Sequence, residues 1–211
     1  MTVSSGPPST IEVDKYGVSQ LSDEQVSFIE KVISEQELDW DDGIILDDDK
    51  STEVKKDIRS CKTCFLPVRD ELVEMFGSMI QDYNNMHSGW NYDLEFIEAI
   101  QLAHYYEGDY YDWHIDSFST PSIQTDHQYH PNKPYNRKVS VTVFLNDPDE
   151  YEGGEFDLET TGPNAEERYD VMKLPKGSIV VFPSFMWHRV RPVTSGVRKS
   201  LVLWIQGPPF K

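Results

Sequence analysis

Two kinds of hydrophobic spacing divide the chain. Between Leu21 and His87 apolar residues recur every three or four positions, and beyond Gly89 they alternate or run in short blocks separated by turn residues. The first spacing keeps one stripe of a helix apolar; the second keeps one face of a strand apolar. A helix is predicted to start after Ser22, whose hydroxyl can cap it while Gln25, three residues later, closes a capping box. Val26, Ile29, Val32 and Ile33 then form its buried stripe. A second helix is predicted from Pro67 to His87, with Pro67 in its first turn and Leu72, Met75, Phe76, Met79 and Tyr83 on one side. It covers a sheet face.

Eight short runs after Gly89 read as strands: Phe96 to Tyr105, Tyr110 to Ile115, Arg137 to Leu145, Gly154 to Glu159, Arg168 to Leu174, Ser178 to Phe182, Trp187 to Pro192 and Val197 to Ile205. That number and spacing predict a mainly β fold with flanking helices, a double-stranded β-helix (jelly roll) core packed against N-terminal α-helices. Residues 1–18 read as an N-terminal tail or edge strand, 19–92 as a helical support region of the same domain, and 93–211 as the core. The polar stretch from Ser117 to Asn136 reads as a lid or specificity loop beside a site. The acidic run Asp39 to Asp49 lacks the ligand spacing of an EF-hand and reads as a solvated turn or hairpin.

Charge narrows the partners. With 19 Lys and Arg against 37 Asp and Glu, the formal charge is -18, which repels phosphate backbones and argues against nucleic acid. The opening MTVSSGPPST has neither a basic nor an apolar region of an export signal, and no apolar run approaches membrane-spanning length. A cytoplasmic, membrane-free location is expected. Cys61 and Cys64 form a lone CxxC without a second pair or a nearby His, so they read as two ordinary thiols near a helix start.

The chemistry gathers at the ends of strands. In QLAHYYEGDYYDWHID, His114 and Asp116 stand two apart, so on a strand an imidazole and a carboxylate converge. His188, in PSFMWHRV, is the best source of a second imidazole. Two His and one carboxylate form the facial triad of non-haem Fe(II) oxygenases, with positions left open for a co-substrate and oxygen. Ten residues past His188, Arg198 is placed to hold the far carboxylate of a dicarboxylic co-substrate. Taken alone, His114 bonded to Asp116 at a strand end, a surface Arg198 beside Lys199, and core aromatics at Tyr105 and Trp204 explain the same residues. His87, His104, His127 and His130 have no partner at ligand spacing and read as non-ligands.

Three blocks in order resemble the Fe(II)/2-oxoglutarate-dependent dioxygenases, and within them the prolyl 4-hydroxylase-like (PKHD-type hydroxylase-like) group. They are QxxxYxxGxxYxxHxD over Gln101 to Asp116, RKVSVTVFLNDPDEYEGGEF over Arg137 to Phe156, and the closing KGSIVVFPSFMWHRVRPVTSGVRKSLVLWIQG. The resemblance implies that His114, Asp116 and His188 bind iron, that Arg198 with Tyr105 and Ser200 binds 2-oxoglutarate, and that Tyr111, Arg137 and Trp204 line a pocket for a target proline. In a regular strand Tyr111 has the opposite parity to His114, so a bulge must turn it toward the site. The implied cofactors are Fe(II), 2-oxoglutarate, molecular oxygen and ascorbate. The implied activity is hydroxylation of a peptidyl proline in a peptide or protein, with release of succinate and carbon dioxide. The same chemistry on a free amino acid, another side chain or a small metabolite is the first alternative, and a non-catalytic jelly-roll sensor or binding module the second.

Overall fold

Strand alternation builds the molecule around one long antiparallel sheet. The computed structural model describes residues 14–43, 45–46, 52–53, 58–87, 89–117, 121–123 and 133–210. The first 13 residues of the expected tail, most of the Ser117 to Asn136 segment, part of the Asp39 to Asp49 run, and His127 and His130 lie outside them.

In chain order the elements are β1 (Gly17–Gln20), α1 (Asp23–Ser34), β2 (Asp41–Asp42), β3 (Ile45–Leu46), β4 (Thr52–Glu53), β5 (Arg59–Ser60), β6 (Lys62–Leu66) and α2 (Asp70–Asp82), the last continued by a π-helical turn (Tyr83–His87). The second half runs β7 (Phe96–Tyr105), β8 (Tyr110–His114), β9 (Ser122–Ile123), β10 (Pro134–Phe144), β11 (Tyr151–Gly153), β12 (Phe156–Glu159), β13 (Tyr169–Met172), β14 (Ser178–Pro183), β15 (His188–Val190), β16 (Val193–Gly196) and β17 (Arg198–Gly207). The large sheet has the order β1-β14-β10-β17-β7-β6-β2, with β9 also on β10, and the small sheet the order β13-β12-β15-β8-β5.

Period-two alternation gives the large sheet two cores. Ile100, Leu102, Val139, Val141, Val143, Ile179, Leu201 and Leu203 pack against Ile29 and Val32 of α1 and Leu72, Phe76 and Ile80 of α2. Ala103, Tyr105, Phe144, Val180 and Phe182, from the opposite face, meet Phe156, Leu158, Met172 and Val190 of the small sheet. Each fully buried aliphatic side chain contributes roughly 1.5–3 kcal/mol, so the helix-facing layer supplies much of the stability. Two sheets closed on an inner layer make the jelly roll expected from the strand count.

Helix α1 has the predicted capping box: Gln25 N donates to Ser22 Oγ at 3.2 Å and Ser22 N to Gln25 Oε1 at 2.9 Å. Other local expectations need correction. Pro67 is not in the first turn of α2, which starts at Asp70 behind an Arg69 N-cap. It follows the last ladder position of β6, Leu66 opposite Ile100, where a residue without an N–H ends a strand. Cys64 therefore lies within β6, and Cys61 just before it, rather than near a helix start; both are buried free thiols. The N-terminal part supplies strands as well as helices, with β6 paired along β7 and β1 on the edge at β14. Among the described residues no helix is long and apolar enough to cross a membrane.

Candidate metal centre and co-substrate cavity

The small sheet brings the ends of two strands together. His188 of β15 pairs with His114 of β8, and Asp116 follows on the turn, held by Asp116 N donating to Ser184 O at 2.9 Å. The His114 Nε2 lies 3.8 Å from Asp116 Oδ1, and the His188 Nε2 3.5 Å from Asp116 Oδ2. Ligand atoms bound at about 2.1 Å to one ion can be no more than about 4.2 Å apart, and both separations fit. Each Nδ1 faces a backbone carbonyl, Asp112 O at 2.8 Å for His114 and Met186 O at 2.9 Å for His188. A carbonyl only accepts, so each Nδ1 carries a proton, which leaves Nε2 as the atom that can offer a lone pair to the shared space when the ring is neutral. Ser140 Oγ donates to Asp116 Oδ2 at 2.7 Å and stands 2.9 Å from Ser184 Oγ. Burial alone would raise the Asp116 pKa, but His188, His114, Arg137 and the Ser140 bond hold it down to about 2. Burial, and then His188, keep the His114 imidazole well below its ordinary value and neutral. The donor set is two imidazoles and a carboxylate, which suits Fe(II). Among the described residues it is the one such group.

The three side chains open into a cavity of about 410 Å³, mouth included, between the sheets. Arg198 reaches it from β17 at 1% exposure, opposite Tyr105 in the β17–β7 register. One guanidinium nitrogen donates to Ser200 Oγ at 3.0 Å, while Nε and the other terminal nitrogen have no hydrogen-bond partner among the described residues. Its centre lies 5.4 Å from the Tyr105 ring and 5.3 Å from that of Phe144. The buried Tyr151 hydroxyl stands beside it. Gly154 has φ +64, and a Cβ there would come within 3.1 Å of the Arg198 Cδ, so a larger residue would strain the backbone and crowd the arginine stem. An unpaired buried cation is costly until an anion reaches it, and a carboxylate of a 2-oxo diacid is such an anion.

Tyr111 and Trp204 also line the cavity, whereas Arg137 does not. Tyr111 reaches it through the expected irregularity: Val190 pairs with Tyr111 and His188 with His114, so β8 has one extra residue against β15. Its ring then stacks on His114 at 3.5 Å with an interplanar angle of 10°. Arg137 stacks on Trp204, its guanidinium centre 4.1 Å from the ring, and is held by two 2.7 Å bonds to Glu98. Two further bulges create this arrangement, one at Lys138 in β10 and one at Glu98 in β7. The resemblance named Arg137, but strict alternation gave no hint of Glu98. Arg59, Thr142 and Phe156 line the cavity without having been singled out; Thr142 and Phe156 lie within the middle block, whereas no motif covers Arg59. His104 is 4.3 Å from the Trp40 ring, away from the centre, and the side chain of His87 is outside the described set.

Comparison with known proteins agrees with this geometry. A family model described as the 2OG-Fe(II) oxygenase superfamily matches residues 100–206, just over half of the chain. A PKHD-type hydroxylase of Xylella fastidiosa (strain M12) is 39% identical over 104 residues, which are 48% of this chain and 41% of the relative. The match thus spans less than half the length of that relative. The fold is similar to a prolyl-4-hydroxylase from Pseudomonas putida, with TM-score 0.62, 19% identity and coverage of 92% and 93% of the two chains. It is also similar to a Trichoplax adhaerens prolyl hydroxylase in complex with a hypoxia inducible factor peptide fragment, with TM-score 0.62, 19% identity and coverage of 90% and 83%. At these identities the structures show a shared fold, while the family model covers every block in which the site was recognised from Gln101 onward. The chain belongs to the 2OG-Fe(II) oxygenase superfamily.

Proposed function

We propose that the chain is an Fe(II)- and 2-oxoglutarate-dependent dioxygenase that hydroxylates a prolyl residue of a peptide or protein, releasing succinate and carbon dioxide. The observation that carries the reading is the pairing, in one cavity, of the His114, Asp116 and His188 group with the orphaned guanidinium of Arg198. When bound, the iron and the 2-oxo acid supply the oxidising chemistry. His114 and His188 would hold the metal through Nε2 and Asp116 through its carboxylate, whose orientation the Ser140 bond fixes. Arg198, with Ser200 and Tyr105 at its sides, orients the co-substrate through its distal carboxylate. Phe156, Phe182 and Val190 line the same space with apolar surface that limits water.

The prolyl target is supported by Tyr111 and Trp204 on the cavity wall, and by fold neighbours that are prolyl hydroxylases, one of them solved with a peptide. Arg137 acts on this wall through Trp204 rather than by reaching the cavity itself. The test is succinate formation from 2-oxoglutarate with Fe(II), ascorbate and a panel of proline-containing peptides. Peptide-stimulated succinate, with one oxygen added to a prolyl ring, is expected. Stimulation by free amino acids or small metabolites instead, with none by the peptides, would reject the prolyl target and keep the oxygenase.

A further inference from the structure

Arg59 lies forty-one residues ahead of the family-matched segment, which begins at residue 100, on a strand of two residues. It is nevertheless 6% exposed and lines the cavity. We propose that Arg59 is a positioning residue of the metal centre, clamping Tyr111 flat against the imidazole of His114. The inference rests on the reading of His114 as a metal ligand.

The geometry has three parts. Arg59 and Tyr111 are cross-strand partners in the β5–β8 register, and the guanidinium centre lies 4.6 Å from the Tyr111 ring centroid. The His114 ring is stacked parallel to the same phenol at 3.5 Å, which fills one face. A guanidinium cannot share that face without overlapping the imidazole, so it covers the opposite one. Arg59, Tyr111 and His114 thus form a three-layer stack ending at the metal position. The guanidinium is itself fixed, donating to Gln101 Oε1 at 2.8 Å and to Cys61 Sγ at 3.1 Å.

The two imidazoles differ in what surrounds them. His188 sits beside Phe182 at 4.8 Å and Phe156 at 5.7 Å, two apolar rings of the inner layer. On the His114 side the stacked ring is Tyr111, near the sheet edge, and the next layer is Arg59 from the edge strand. The edge strand β5 is only two residues long and adds few ladder bonds to β8, so the Arg59 cation, itself held by Gln101, fixes the Tyr111 ring. The stack also limits Tyr111: with both faces covered, only its ring edge and hydroxyl can address a substrate.

The test uses Co(II) as the metal probe, with affinity measured by calorimetry, ligand geometry by the Co(II) absorption spectrum, and the metal-free fold by circular dichroism. Wild type is expected to bind one Co(II), and His188→Ala to lose it. Arg59→Met is expected to weaken Co(II) binding about 10-fold, within the range for groups that orient metal ligands, and to alter the spectrum while the metal-free fold is retained. Tyr111→Leu should show a similar loss, and the double variant no more than Tyr111→Leu alone. Arg59→Lys, which returns a cation to the ring, should recover most of the affinity. Unchanged affinity and spectrum in Arg59→Met, or losses that multiply in the double variant, would overturn the clamp. If Arg59→Met does not fold, Gln101→Leu, which releases the guanidinium, carries the same expectation, and wild-type affinity there overturns it. Co(II) binding that survives His188→Ala removes the metal reading and the clamp with it.

Discussion

The two faces of the large sheet are built from the same strands and serve opposite ends. On β17, Leu201, Leu203 and Ile205 turn toward the helices, while Arg198, Ser200 and Trp204 turn toward the cavity. On β10, Val139, Val141 and Val143 join the helix-facing core, while Thr142 lines the cavity and Ser140 bonds Asp116. One face gains its energy from leaving water and tolerates any well-fitting apolar side chain. The other places polar groups where each needs a specified partner, and at Arg198 that partner is not among the described residues. Because the side-chain period is two, stability and binding are separable residue by residue along one strand.

The largest expected effect is on the helix-facing side. Leu203→Ala should cost about 2–5 kcal/mol in urea unfolding by opening a cavity in the helix-facing core, and leave 2-oxoglutarate affinity per folded molecule unchanged. Arg198→Met, on the neighbouring face, should do the reverse. Calorimetry should show co-substrate binding weaker by about 2 kcal/mol or more, roughly 30-fold, with the metal-free chain no less stable, since a buried cation with two orphaned nitrogens is gone. A stability loss as large as that of Leu203→Ala would break the distinction between the faces. Ser140→Ala removes the hydroxyl that orients Asp116, and metal affinity should fall about 10-fold.

The smallest effect is on pH dependence. Burial and then Lys199 lower the His104 pKa to about 4, and burial and then His188 lower that of His114 well below 6.5. With folded values below the unfolded one, the unfolded chain takes up protons first as pH falls below 6.5. Stability of the metal-free chain should therefore be full above that pH and decline toward pH 4. The slope is at most about 1.4 kcal/mol per pH unit per histidine, and smaller for the partly exposed His104, which solvent screens. Urea midpoints across this window check it, and His104→Gln should flatten part of the slope; a flat wild-type profile contradicts it.

How far these features could be read from the sequence depends on their periodicity. The long strands and both helices announced themselves through regular spacing, and the capping box at Ser22 through two residues at a fixed interval. His114, Asp116, His188 and Arg198 were found because each stands at or beside a strand end within blocks that carry a known resemblance. Tyr111 had the wrong parity for the cavity, and the required bulge is visible in the β8–β15 register. Glu98 and the inward turn of Arg137 depend on bulges that period-two patterning cannot express. Arg59 sits on a strand too short to have a period, in a charged stretch that reads as surface. Net charge was equally blind to it, because a formal -18 is a sum over the whole chain and says nothing about arginines in one cavity. Pro67 did act as a breaker, of a strand end rather than at a helix start.

The central claim is that one cavity holds a metal at His114, Asp116 and His188 and a 2-oxo diacid at Arg198. Anaerobic calorimetry of 2-oxoglutarate into the Fe(II)-loaded chain tests it most directly. The account predicts one binding site that disappears without metal and in Arg198→Met. Binding that is indifferent to both, or no binding to the loaded wild type, would contradict it.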